Sequence, residues 1–330
     1  MKTIATLLLI VVSAQAQMIT ENFGTGANTF SIDFVKIGNL RNAADTTGYG
    51  SVGYSYNIGA YEISVKQVNS AVANGLMGVR ADSQNWNPSV NFPAFGLDWL
   101  QAAAFVNWLG TSTGHQAAYK MNYIGGNGGS AYGRTYSFGV WTPGEAGYDP
   151  TNPFRNSLAR YALPSENEWY KAAYFDPNKN GGTGGYWLYA TGSDSPPTPV
   201  SSGTTAGTSV YGLPADGQLS YASSVFESGG ASPYGTRGQG GNVWEMLETA
   251  ADGTNTDPEA LRVERGGSWT IGPLQQSSAF RSDQLPIDNG DGYANLGFRV
   301  IMVPEPSSLS LLLAGGTLLL GLRKRSKNKI

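Results

Sequence analysis

Residues able to do chemistry are scarce among the 330 of this chain. His115 is its one histidine and cysteine is absent, so neither a thiolate nucleophile nor a His-rich metal centre can be built. A Ser-His-Asp triad would have to run through His115, which lies in a polar, loop-like stretch that offers it no partner and reads as solvent-exposed. A 2-His-1-carboxylate iron site fails on the same count. Carboxylates remain: Asp283 with Asp288 or Asp291 has the residue types for acid–base hydrolysis of a glycan, although a solvated or cation-coordinating loop is the plainer reading. Gly125-Gly126-Asn127-Gly128-Gly129 lacks the preceding strand and the Lys that would make a glycine cluster a phosphate cradle.

The elements that must position such residues are marked mainly by their caps. Phe34 to Ile37 reads as a first strand, and Val52, Tyr54, Tyr56 and Ile58 alternate with small or polar residues as in a half-buried strand. Ser64 and Gln67 have capping-box spacing for a helix start. Asp98 can cap a helix in which Trp99, Ala102, Ala103, Val106 and Leu109 form an amphipathic stripe. Ser165 and Glu168 form a second capping box, before Trp169. Thr111 to Asn156 is Gly-, Tyr- and Asn-rich and predicts a long excursion with little regular structure. Gly192 to Pro214 reads as a surface loop. Neither an internal repeat nor a second domain boundary is visible.

Both ends look like processing signals. Lys2, the apolar run Ile4 to Val12 and Ala14-Gln15-Ala16 read as a secretory signal peptide over 1–16, the run being too short to span a bilayer. At the other end, Val303-Pro304-Glu305-Pro306, an apolar stretch from Leu309 to Leu322 and the basic run from Arg323 resemble a PEP-CTERM sorting tail over 304–330. That resemblance implies an exosortase-type processing protease as partner, transient membrane attachment through the tail, and a body outside the inner membrane of a Gram-negative bacterium. The plainer alternative is a single-span anchor. Without these ends, 15 Lys and Arg face 23 Asp and Glu, about −8 in all. Such acidity argues against nucleic acid as a partner. A cysteine-free exported body must hold itself together by burial, hydrogen bonds or a metal. The body, 17–303, is large enough to do so as one domain, and its many Gly, Trp and Tyr predict a loop-rich fold in which aromatics supply burial.

Five motifs follow in order. They are Tyr61-Glu62-Ile63-Ser64-Val65-Lys66-Gln67, Leu163-Pro164-Ser165-Glu166-Asn167-Glu168-Trp169, Gly240-Gly241-Asn242-Val243-Trp244-Glu245, Arg265-Gly266-Gly267-Ser268-Trp269 and Leu296-Gly297-Phe298-Arg299-Val300. In this order they resemble the signature of the sulfatase-modifying-factor family, whose founding members generate formylglycine, across about 34–302. The resemblance implies an α+β, C-type-lectin-related fold, loop-rich, with two main helices and small antiparallel sheets. The family's usual Arg before the Leu-Pro segment is Ala162 here, so any salt bridge made by that Arg is expected to be missing. Arg265 and Arg299 are expected on neighbouring central strands, more as scaffold than as ligand contacts.

The resemblance also implies a structural calcium ion at the Asn242 turn, held by the Asn242 and Glu245 side chains and by carbonyls of Gly240, Gly241 and Val243. The alternative is that Asn242 and Glu245 satisfy buried backbone groups and Trp244 is core. Formylglycine-generating relatives bind copper through two cysteines between the last two motifs, and the stretch Thr270 to Ala279 has none. In lectin-like relatives that same region meets ligands. Here it offers Trp269, Gln276, Arg281, Asp283, Asp288, Asp291 and Tyr293, a mixture suited to hydroxyl-rich ligands. The expectation is therefore an exported cell-surface or matrix protein that binds a ligand or polysaccharide without catalysis. The alternatives are a family oxidoreductase acting on a protein or peptide, and a structural matrix component.

Overall fold

The computed structural model describes residues 18–81, 89–126, 134–212, 222–284 and 295–303. The signal-peptide and sorting-tail readings, together with Asp288, Asp291 and Tyr293, lie outside the described residues. In chain order, strands β1 (Met18–Phe23), β2 (Phe30–Ile37) and β3 (Tyr56–Gly59) precede helices α1 (Val65–Ala73) and α2 (Trp99–Ser112). Strands β4 (Lys120–Tyr123), β5 (Tyr136–Gly139) and β6 (Tyr161–Ala162) lead to helix α3 (Glu166–Tyr174). Next come β7 (Phe175–Asp176), β8 (Gly185–Tyr186), β9 (Thr198–Pro199) and β10 (Thr208–Ser209), and then β11 (Trp244–Ala250), β12 (Arg262–Arg265), β13 (Ser282–Gln284), β14 (Leu296–Gly297) and β15 (Ile301–Met302). This is the expected mixed α+β architecture. Among the described residues no helix is long and apolar enough to cross a membrane.

A five-stranded sheet, ordered β1-β2-β3-β15-β6, backs the main core. On β2 the period-two pattern buries Phe30, Ile32 and Phe34 and exposes Ser31, as a strand with one covered face should. The first expected strand thus starts earlier than Phe34, and β1, which its sequence did not announce, pairs along it from Met18↔Val35 to Phe23↔Phe30. The alternation from Val52 yields a strand only from Tyr56, and Asn57 is buried as well as its neighbours, so both faces are covered there.

All three capping boxes form. Ser64 and Gln67 open α1, Asp98 and Gln101 open α2, and Ser165 and Glu168 open α3. The expected stripe on α2 is corrected, however, because every residue from Trp99 to Val106 is buried. A helix covered on all sides lies inside a fold rather than against its surface. The Trp99 indole N–H donates to the Leu247 carbonyl at 2.8 Å and ties α2 to the second sheet.

That second sheet is ordered β13-β12-β11-β14, with β11 antiparallel to β12 and parallel to β14. Arg265 ends β12 and Arg299 follows β14, so the two flank β11 rather than each other. Trp169, Tyr170 and Tyr174 of α3 pack with Ala190, Leu247 and Val263 over it. The stretch from Gly192 to Pro214 is also less superficial than its composition implies. Thr198–Pro199 pairs in parallel with Thr208–Ser209, and Ser209, Val210 and Tyr211 are buried.

Candidate functional site

Glu245 shows what the signature residues do. It sits on β11, fully buried, and both its oxygens are held by the Arg299 fork, with Nε to Oε2 and Nη2 to Oε1 each at 2.5 Å. Trp169 Nε1 adds a third donor to Oε2 at 2.7 Å. The rest of the Arg299 guanidinium donates to the Gly59 and Arg237 carbonyls at 2.9 and 2.8 Å. One side chain thus neutralises a buried carboxylate and satisfies two carbonyls, one at the end of β3 and one in the loop at Arg237.

The turn before it is built for close approach. Gly241 and Asn242 both have left-handed backbones, φ +80° and +59°, and a Cβ on Gly241 would run into the Val210 carbonyl. Asn242 Nδ2 donates to both oxygens of Glu62, at 2.9 and 3.1 Å, while its Oδ1 accepts the Ser223 N–H at 2.7 Å. Burial, then the nearby Glu245 charge, push the Glu62 carboxyl well above the usual range. The shift favours the protonated acid there, facing an amide.

A second buried network centres on Arg155, supplied by the irregular segment before β6. Its Nη1 and Nη2 reach Glu168 at 3.0 and 2.9 Å, its Nε reaches Glu248 at 2.7 Å, and Nη2 also serves the Leu163 carbonyl. Burial alone would raise the Glu168 carboxyl, but Arg155 outweighs it and holds it below the usual range. The salt bridge expected to vanish with Ala162 has a counterpart here from Arg155, far enough along the chain that no local pattern reveals it. Tyr54 and Tyr119 hydroxyls and the Asn152 amide close the remaining acceptors. Glu166 is likewise taken, by Arg265 at 2.6 Å and Arg281 at 3.0 Å.

Against this geometry the calcium expectation meets a mismatch. The ion wants six to eight hard oxygens. Asn242 Oδ1 is occupied by Ser223, both Glu245 oxygens face a guanidinium, and the Gly240 carbonyl accepts the Ser209 hydroxyl. A donor set already balanced by Arg299 does not fit a divalent ion through the Asn242 and Glu245 side chains.

The expected ligand residues divide. Trp269 is buried with Val210, Ala222 and Val243, and Gln276 is buried with its Oε1 accepting from Ser209 at 2.8 Å. Neither is a surface contact, because the turn that places them folds inward over the Asn242 loop. Arg281 is tied to Glu166 and the Ala251 carbonyl. Asp283 stays exposed on the edge strand β13, opposite Val263. Asp288, Asp291 and Tyr293 are outside the described residues. Near Asp283, burial lifts the Glu264 carboxyl to about 7. Trp244, half-buried, packs against the edge of the main core, its ring tilted against Phe280 at 5.8 Å. His115 is half-buried with Nδ1 3.0 Å from the Thr113 hydroxyl.

Sequence reasoning missed a concavity elsewhere. A cavity of about 490 Å³ opens between the chain at 89–92, the loop at 201–202 and the segment 222–227. Ser89, Asn91, Ser201, Ser202 and Ser224 line it, with Phe92, Phe226 and Glu227. Phe226 is 48% exposed and is set edge-on against Tyr61, with ring centroids 5.0 Å apart. The wall is rooted in the signature turn, since Ser223 N–H bonds Asn242, and it is pinned to the opposite side by Val225 N–H to the Asn91 carbonyl at 2.9 Å. Serine-rich loops carry no periodic signal, so only the exposed aromatic beside an acid at 226–227 hinted at it.

Comparison with known proteins agrees with the architecture. The family described as "Sulfatase-modifying factor enzyme 1-like domain" matches residues 27–303. Treponema denticola variable protein 1 superposes with TM-score 0.55 at 18% identity, covering 87% of this chain and 99% of that one. The crystal structure of CarF gives 0.50 at 19% identity, covering 88% and 98%, and PvdO from Pseudomonas aeruginosa gives 0.51 at 14%, covering 86% and 98%. At these identities the likeness is one of fold. Among curated proteins no significant match is found.

Proposed function

The chain belongs to the family of sulfatase-modifying factor enzyme 1-like domains, and from that premise we propose that it is a ligand-binding member that keeps the scaffold without the family's copper oxidation. The observation that carries this reading is the commitment of the signature side chains. Asn242, Glu245, Arg265 and Arg299 are buried and spend their polar atoms on each other, on Glu62, Glu166 and Trp169, and on backbone groups. Groups so engaged hold a fold together and have no capacity left for a substrate. Copper chemistry of the family's kind needs soft thiolates, and the chain has no cysteine.

The body is exported, and its tail is the substrate of an exosortase-type protease that leaves the domain at the cell surface or in the matrix. There the acidic, loop-rich domain meets a polysaccharide or surface protein. Two measurements test this. Elemental mass spectrometry of the purified chain after dialysis, with oxygen uptake in the presence of thiol peptides, should give neither stoichiometric copper or iron nor turnover. Stoichiometric copper or iron with thiol-dependent oxygen consumption overturns the non-catalytic reading. Protease shaving of intact cells should remove the domain, whereas full protection would overturn surface display.

A further inference from the structure

We infer that the cavity between residues 89–92, 201–202 and 222–227 is a binding site for an uncharged glycan, the hexose units of a neutral polysaccharide. The inference rests on the ligand-binding reading and adds its place and ligand chemistry.

At about 490 Å³ the cavity falls within the roughly 300–1,000 Å³ of small-molecule sites, with room for a short oligosaccharide. A pyranose ring presents C–H groups on its faces and hydroxyls around its edge. Phe226, 48% exposed and at the lining, is set edge-on against Tyr61, and supplies an aromatic surface suited to the C–H groups. Serine hydroxyls can both donate and accept, and an amide does the same through two different atoms, so the lining matches sugar hydroxyls whichever way their protons point. Among the described residues, the Asn91 side chain and the Ser201 hydroxyl, both at the lining, spend nothing on the protein itself.

Charge selects among sugars. Among the described residues the cavity is lined by neither Lys nor Arg, and the one ionisable group there is Glu227, whose Oε2 accepts from Ser202 at 3.0 Å. A uronate, sulfate or phosphate would meet a carboxylate with no cation to offset it. A neutral hexose meets a fixed acceptor. The site is also prebuilt. Ser224 caps the turn that carries Phe226, accepting its N–H at 3.3 Å, Ser223 Oγ donates to the Glu227 carbonyl at 3.1 Å, and Gly203 N–H donates to the same carbonyl at 2.8 Å. Little ordering is left to be done on binding.

The test uses the full-length chain in a detergent without a sugar headgroup, titrated calorimetrically with maltohexaose, cellohexaose, laminarihexaose and mannohexaose as neutral probes and with oligogalacturonate as the anionic probe. At least one neutral probe should bind saturably and oligogalacturonate should bind at least tenfold more weakly. Phe226→Ala should lower the neutral affinity about tenfold or more, the scale of a central aromatic anchor, while moving the thermal midpoint by less than about 2 °C because the ring is half exposed. Glu227→Gln should narrow the gap between neutral and anionic probes. Binding of none of the neutral probes, equal binding of oligogalacturonate, or undiminished binding by a folded F226A variant would each overturn the site. Those failures leave the metal and oxygen-uptake results untouched, so loss of this inference is separable from loss of the non-catalytic reading.

Discussion

Replacing Arg155 by Met should be among the most damaging single changes in the domain. The substitution keeps most of the side chain's length and apolar stem, but it leaves Glu168 and Glu248, both fully buried, without a counter-charge. Breaking one buried pair by removing a partner costs about 3–5 kcal/mol, and here one guanidinium serves two carboxylates. The two losses share a group and do not add, so about 3 kcal/mol is a floor, set against a total stability on the order of 5–15 kcal/mol. With a urea slope of about 3 kcal/mol/M, the midpoint should fall by roughly 1–2 M, read by tryptophan fluorescence. The pH dependence supplies the sign. In the native chain the Glu168 carboxyl is held below its ordinary value of 4.5, so its contribution is present above that pH and fades as the pH drops through the folded value. In R155M burial, the largest influence on Glu168, is opposed only by the Tyr54 and Ser165 hydrogen bonds and pushes the carboxyl up, and a carboxyl with a raised folded value costs stability as the pH rises. The gap between the two proteins should therefore shrink from pH 7 toward pH 4. Arg134→Met is the control. Its partner Glu259 is as close, at 2.6 Å, but exposed, and its loss should stay within about 0.5 kcal/mol. An R155M midpoint matching that of the control, or a gap that does not vary with pH, would refute the reasoning.

Further outcomes follow from other contacts. Glu62→Gln removes an acid whose folded value is raised, so stability lost by the native chain as the pH climbs above the carboxyl's ordinary value of 4.5 should be retained by the variant, as urea midpoints measured upward from that pH will show. Gly241→Ala and Gly253→Ala share a left-handed backbone, worth about 1–2 kcal/mol, but only the first drives a methyl into backbone, at Val210. G241A should therefore be clearly the less stable on thermal melting. Trp269→Ala should cost about 3–5 kcal/mol as a core truncation, read as a fall in the urea midpoint.

What could be read from the sequence was what is local. A capping box spans four residues, and Ser64, Asp98 and Ser165 began helices where their spacing said they would. The ordered motifs carried the family and with it the fold. Tertiary pairing hid the rest. Nothing near Met18–Phe23 announces a strand until Phe30–Ile37 lies beside it, and two-residue strands such as Thr208–Ser209 exist only through their partners. Arg155 looks like any loop arginine until the fold brings Glu168 and Glu248 to it. For the site, chemical type suggested Trp269 and Gln276 as contacts. Their inward turn removes them, while Ser202 and Phe226, from loops without pattern, meet across a cavity.

The placement of β15 governs the order in which this domain can be made. Ile301–Met302 pairs with Asn57–Ile58 on one side and Tyr161–Ala162 on the other, so the last described strand is an interior strand of the largest sheet. While the ribosome is still extending the chain, β1, β2 and β3 can form a meander, but β3 presents an open edge with no neighbour. Closure waits for a contact spanning more than two hundred residues, a slow step by its sequence separation alone. A nascent chain whose largest sheet closes only when β15 arrives leaves the β3 edge open until then, an edge that a chaperone can shield from other chains.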